Sequence, residues 1–146
     1  MSEIQPLSPE MIRRYLDEDE AEYDVDEDDN FVFEYDHDEE CDCELTVWLS
    51  IDEGDTYALE VANEKSFPRS EWDRFLEICN EWNRNERYPI AYLDTDDETP
   101  DQIEIRLDYY VYLPSGATQK QISDLTEEFI ENSFDFWKWA HREHGL

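Results

Sequence analysis

Between Phe31 and Val61 apolar side chains return at every second position, and that rhythm restricts the fold more than any other feature of the chain. Phe31, Phe33 and Tyr35 alternate with Val32, Glu34 and Asp36. After Asp38-Glu39-Glu40 the alternation resumes, with Cys43, Leu45, Val47, Leu49 and Ile51 on one side and Glu44, Thr46 and Ser50 on the other. Successive side chains of a strand point to opposite faces, so a period of two marks half-buried strands. Asp52-Glu53-Gly54-Asp55 reads as a hairpin turn with Gly54 at positive φ, and Tyr57, Leu59 and Val61 as the returning strand. Hairpin-linked strands predict an antiparallel meander whose single apolar face must be covered.

Helical segments supply the cover. Residues 1–7 read as a flexible tail, and Ser8-Pro9 as a cap with proline at the first helical position. Ile12, Tyr15 and Leu16 then predict a short helix over roughly residues 9–21. The acidic run Asp24 to Asn30 reads as a turn between a short strand and a longer one. Ser70 with Asp73 resembles a capping box, and Trp72, Phe75, Leu76, Cys79 and Trp82 mark one side of a second helix. Pro89 stops it, because the residue before proline avoids the helical region. Ile90 and Tyr92 open another strand, and Ile103 to Leu113 form a long one. Thr118 with Gln121 is a capping box for a last helix from about Gln119 to His141. The expected order is α-β-β-β-α-β-β-α, an α+β fold with helices packed on an antiparallel sheet, in a single domain over residues 1–146.

That last helix carries two apolar stripes. Ile122, Leu125, Phe129, Ser133, Phe136 and Ala140 form the first; Ile130, Phe134 and Trp137 form the second, with Trp139 beside it. One sheet face does not easily cover both sides of a helix about 35 Å long. The second stripe is therefore either wrapped by the first helix or buried in a partner, and Ile130, Phe134, Trp137 and Trp139 are the candidate partner-binding residues, with a homodimer as one such partner.

Forty-two acids against eleven bases leave a net charge of −31, yet aromatic residues reach 14%, too many for a disordered chain. Unpaired carboxylates must lie on the surface, where they repel nucleic-acid phosphates and anionic membranes and attract basic proteins or cations. Only three of the bases are lysine, which a high-salt cytoplasm would also favour, so charge alone does not separate adaptation from recognition. No hydrophobic leader precedes Met1-Ser2-Glu3-Ile4-Gln5, and the cysteines Cys41, Cys43 and Cys79 are odd in number. A reducing cytoplasm is the expected location.

Chemistry-bearing patterns are weak throughout. Asp24, Asp26 and Asp28 match the first ligand positions of an EF-hand, but Asp29 stands where glycine is needed and Tyr35 where the bidentate glutamate belongs. His37, Cys41 and Cys43 offer three zinc ligands rather than four. In an extended strand the two sulfurs would lie about 7 Å apart, on the face shared with Leu45, which favours core cysteines. Cys79 sits on the apolar side of its helix, so no Cys–His nucleophile emerges. His141 and His144 suit the C-terminal end of the helix dipole. No catalytic, metal or cofactor residues are assigned. Trp82, Asn83, Arg87 and Tyr92 read first as core filling and helix capping and second as a binding surface.

The run Cys79-Asn80-Glu81-Trp82-Asn83-Arg84-Asn85-Glu86-Arg87-Tyr88-Pro89-Ile90-Ala91-Tyr92 closely resembles the signature of the YbjN-like family of bacterial sensory transduction regulators. Leu7-Ser8-Pro9-Glu10-Met11-Ile12 and the closing Phe136-Trp137 agree with it, as does the element order. The resemblance implies a type III secretion chaperone-like fold and a cytoplasmic regulatory or protein-interaction role, with no catalytic residues to carry over. The acidic load of residues 17–30 and the Cys41-Asp42-Cys43 segment depart from it. The expected function is a non-catalytic module, regulatory or chaperone-like, that binds a segment of a partner protein. The alternative is an acidic decoy that imitates the charge of DNA and binds a basic nucleic-acid-binding protein.

Overall fold

The computed structural model describes residues 3–146. In chain order the elements are α1 (Pro9–Glu18), β1 (Asp24–Val25), β2 (Phe31–Asp38), β3 (Cys43–Asp52), β4 (Thr56–Asn63), β5 (Phe67–Pro68), a 3-10 turn (Arg69–Glu71), α2 (Trp72–Asn85), β6 (Ile90–Asp96), β7 (Thr99–Tyr112) and α3 (Gln119–His144). All strand pairings are antiparallel. The sheet runs β1-β2-β3-β4-β7, and β7 also pairs with β5 and β6. The two-residue strands β1 and β5 extend the expected order without changing its class.

The period-two alternation fixes which side of the sheet is buried. Phe31, Leu45, Val47, Leu49, Tyr57, Leu59, Val61, Ile105 and Leu107 lie on one face and are almost wholly enclosed. They share one core with Ile12 and Leu16 of α1, Phe75, Ile78, Cys79 and Trp82 of α2, and Ile122, Phe129 and Phe136 of α3. The three helices thus lie on the same side of the sheet. Within α2 the buried face turns toward Ile78, and Leu76, expected in the apolar stripe, is exposed.

The N-terminal end of α3 is closed by the expected box, and the helix runs to His144, three residues past its expected end. Thr118 Oγ1 accepts from the Gln121 N–H, and the Gln121 side chain accepts from the Thr118 N–H. Gly145, at positive φ, closes the other end. By contrast, the Ser70–Asp73 box does not form, because α2 is entered through the 3-10 turn and Glu71 caps it without a side-chain bond.

The expectation of a flexible tail does not hold for Gln5 to Leu7. Gln5 pairs with Ala117 through two backbone hydrogen bonds of 2.9 Å, and Leu7 is buried. Gly116 permits this approach, since it adopts φ +88° and a Cβ there would sit 1.9 Å from the Gln5 carbonyl oxygen. Met1 and Ser2 fall outside the described residues.

Candidate functional site

Two of the four residues singled out near Pro89, Trp82 and Asn83, serve as a structural lock, whereas Arg87 is exposed and Tyr92 stands half-buried on the helix-free face of the sheet. Trp82 is 7% exposed, packs edge-on against Phe136 at 5.1 Å and donates from Nε1 to the Pro89 carbonyl at 2.9 Å. The Asn83 amide pairs with the backbone of Ala91 like a short piece of strand, donating to its carbonyl and accepting from its N–H, both at 2.8 Å. Asn85 donates to the Glu81 carbonyl at the end of α2. Core filling and capping therefore account for Trp82, Asn83 and Asn85, and Asn83 also occupies the open edge of β6, which would otherwise present unpaired backbone groups.

Half of the candidate stripe on α3 is buried within the chain, and Phe134 and Trp139 are half-buried. Trp137 is fully buried and Ile130 nearly so. Phe134 lies against Tyr35 of β2 at 5.3 Å, and Trp139 packs on Trp82 at 5.6 Å. Met11, Ile12, Tyr15 and Leu16 of α1 are buried in the same core, and Gln119 Nε2 donates to the Met11 carbonyl at 2.9 Å. Cover for this stripe comes from Tyr35 of β2 and Trp82 of α2 as well as from the core that α1 shares, which weakens the argument for a second copy. What remains open beside Trp139 is a cleft between α2 and α3 of about 340 Å³, into which Lys138, Arg142 and Asp135 project.

Cys41 and Cys43 are both buried core thiols, but their sulfurs are 3.3 Å apart rather than the spacing of an extended strand. Asp42 between them adopts φ +54°, which bends the chain ahead of β3. His37 points to Asp42, 3.0 Å away, and that carboxylate holds the imidazole pKa above its ordinary value. Among the described residues no three His, Cys, Asp or Glu side chains are grouped to hold a metal ion. Burial pushes the Cys79 thiol up to about 12, the opposite of what a nucleophile requires. In the acidic run, Asp26 turns inward on its own loop, accepting from the Asp28 and Asn30 N–H groups and from the Asn30 side chain.

The open surface lies on the other side of the sheet. Pairing register sets its rows: Val32–Trp48–Glu60–Asp108–Ile90, then Glu34–Thr46–Ala62–Arg106–Tyr92, and Ser50–Ala58–Tyr110. Ala58 and Ala62 on β4 are short, and their neighbours overtop them, so both are nearly buried on a face that no helix covers. Around Ala58 this leaves a hollow, walled by Trp48 of β3, Glu60 of β4 and Tyr110 of β7. Tyr110 and Tyr112 are exposed, 52% and 68% respectively.

Glu60 and Asp108 stand directly opposite each other across β4 and β7, an arrangement that repels when both are charged. Burial and the nearby Glu60 raise the Asp108 pKa above the ordinary carboxylate range. Tyr110 donates to Glu60 at 2.6 Å, and that bond pushes the phenol pKa up. Arg106 gives the face a base, yet its guanidinium is turned to Asp94 at 2.9 Å and Glu104 at 3.2 Å. This hollow was not legible in the sequence because Trp48 falls on the polar parity of β3. An aromatic out of phase with its strand was the available signal.

The sequence of the chain from residue 8 to residue 142 matches the family YbjN, described as "Putative bacterial sensory transduction regulator". The chain belongs to the YbjN family. The fold agrees with a solved structure, the crystal structure of YbjN from E. coli, described as a putative transcription regulator. That likeness has a TM-score of 0.78 over 97% of this chain and 96% of the other, at 12% sequence identity, and it concerns the fold. No curated protein sequence matches the chain. The YbjN description is that of a regulator rather than an enzyme. Among the described residues no helix is long and apolar enough to cross a membrane.

Proposed function

We propose that this YbjN-family protein is a non-catalytic regulator that works by holding a segment of a partner protein against its uncovered sheet face. One observation carries the reading: the face opposite the helices presents the exposed Tyr110 and Tyr112, with Trp48 and Tyr110 walling a hollow that no element of the described chain fills. Aromatic side chains lose little conformational freedom on contact and dominate binding energy at protein interfaces. The buried thiols, with all three cysteines free, fit a reducing cytoplasm.

The test is differential capture. Immobilised wild type, Trp48→Ala and Leu76→Ala are incubated with native cytoplasmic extract and the retained proteins quantified. Leu76 is exposed on the helical side and serves as the control surface. A protein held by wild type and Leu76→Ala but released by Trp48→Ala supports the reading; identical retention by all three refutes it.

A decoy that imitates DNA is the second reading, and the net charge of −31 favours it. It would engage the whole acidic surface, and its affinity would fall steeply with salt wherever the contacts lie.

A further inference from the structure

The hollow on the helix-free face has a volume of about 240 Å³, and its lining includes Trp48, Tyr110, Ala58, Glu60, Asp28 and Asp52. Three of these six are carboxylates and two are aromatic, and no lysine, arginine or histidine is among the residues that line it. Its volume falls below the roughly 300–1,000 Å³ of a site for a drug-sized ligand, and suits a single side chain. Building on the protein-binding reading above, we propose that this hollow takes an arginine or lysine side chain of an extended, basic segment of the partner protein.

Charge complementarity carries the assignment. Glu60 faces Asp108 in register, and the one base on this part of the face, Arg106, is held by Asp94 and Glu104. A cation delivered from outside would sit against Glu60 and relieve its repulsion with Asp108. The aromatic walls suit the same occupant, since a cation over an indole or phenol ring is attracted by its quadrupole. Trp48 already accepts one guanidinium in this way, with Arg106 Cζ 5.6 Å from the ring centroid. Ala58 is nearly buried in the floor, leaving room for an aliphatic stem to lie along β4. A neutral or acidic segment would bury Glu60 with only the Tyr110 hydroxyl as partner and leave its repulsion with Asp108 unrelieved, so the same geometry discriminates against it.

Fluorescence anisotropy with two labelled peptides tests this directly: one alternates arginine and serine, the other carries citrulline, neutral and nearly isosteric, at every arginine. The arginine peptide is expected to bind at least about tenfold more tightly, the factor that one charge-assisted contact supplies. Glu60→Gln should remove about that factor, whereas Asp97→Asn, an equal charge change on the exposed loop between β6 and β7, should not. Both variants are first checked for wild-type near-UV circular dichroism. Failure of the arginine peptide to bind, equal binding of the citrulline peptide, or equal losses in Glu60→Gln and Asp97→Asn would each overturn the assignment, the last in favour of diffuse attraction over the whole surface. If the arginine peptide fails while Trp48→Ala still releases a captured protein, the class of segment is wrong and the protein-binding reading stands; if both fail, that reading falls as well.

Discussion

Replacing Trp82 by alanine removes an indole that is 7% exposed, packed edge-on against Phe136 and tilted against Trp139, and bonded to the Pro89 carbonyl. Truncating a buried aromatic costs about 3–5 kcal/mol in lost transfer energy and cavity. Orphaning a buried carbonyl adds about 1–3 kcal/mol where water cannot reach it. Here the geometry moderates both. Trp82 also lines the cleft between α2 and α3, so truncation deepens a solvent-facing hollow instead of sealing a void, and water can serve Pro89. The expected loss is therefore near about 3 kcal/mol, the low end of the range. At roughly 2–4 °C per kcal/mol for a chain of this size, the melting temperature should fall by about 6–12 °C. Trp82→Phe separates the two contributions: it keeps most of the ring packing and loses the hydrogen bond, and should cost about 1 kcal/mol. Urea titration followed by circular dichroism gives both values, with an unchanged m-value as the sign that the transition stays two-state. A loss below about 1 kcal/mol for Trp82→Ala would refute the lock; equal losses for Ala and Phe would mean that the hydrogen bond, not the packing, dominates.

Asn83→Ala removes both bonds to Ala91 and should cost roughly 1–3 kcal/mol by urea titration, with faster aggregation on heating as the β6 edge opens. Asp108→Asn should stabilise the protein at neutral pH. The folded-state pKa of Asp108 is raised, so its charged form costs stability above that value, and the cost fades as pH falls toward the ordinary carboxylate value. The gain should be about 0.2–1 kcal/mol at pH 7 and vanish near pH 3, as read from melting curves at the two pH values. Melting temperature should also rise as sodium chloride is taken from low to about 0.1 M, where the screening length shortens to about 10 Å; a flat response would mean that the acids are compensated internally.

The strands were legible because one face of each meets the helices and the other does not, which writes a period of two in large apolar side chains into Cys43 to Ile51 and Tyr57 to Val61. Caps were legible where side chain and backbone satisfy each other locally, as at Thr118 and Gln121. Ser70 and Asp73 carried similar residue types, but pairing of Phe67 and Pro68 with β7 set the backbone ahead of α2 and left no cap geometry for them to fill. The role of the second stripe on α3 was beyond sequence alone. Its cover comes from residues far off in the chain, Tyr35 of β2 against Phe134 and Trp82 of α2 against Trp139, and no local pattern records those contacts. The hollow was hidden for the opposite reason: Ala58 is unremarkable in sequence, and becomes a floor only when the larger Trp48 and Tyr110 of β3 and β7 stand beside it.

The dependence of α1 on α3 orders the folding of the chain. At 10 residues α1 is too short to persist as an isolated helix, and its buried side depends on packing with α3, the last helix in the sequence. The β2–β3–β4 meander is complete long before that, so during synthesis its apolar face waits for a lid while its edges are still open. Exposed strands of this kind invite association between chains. The same carboxylates that repel each other in the folded protein then work in its favour, since every unfinished copy carries enough negative charge to keep its neighbours apart.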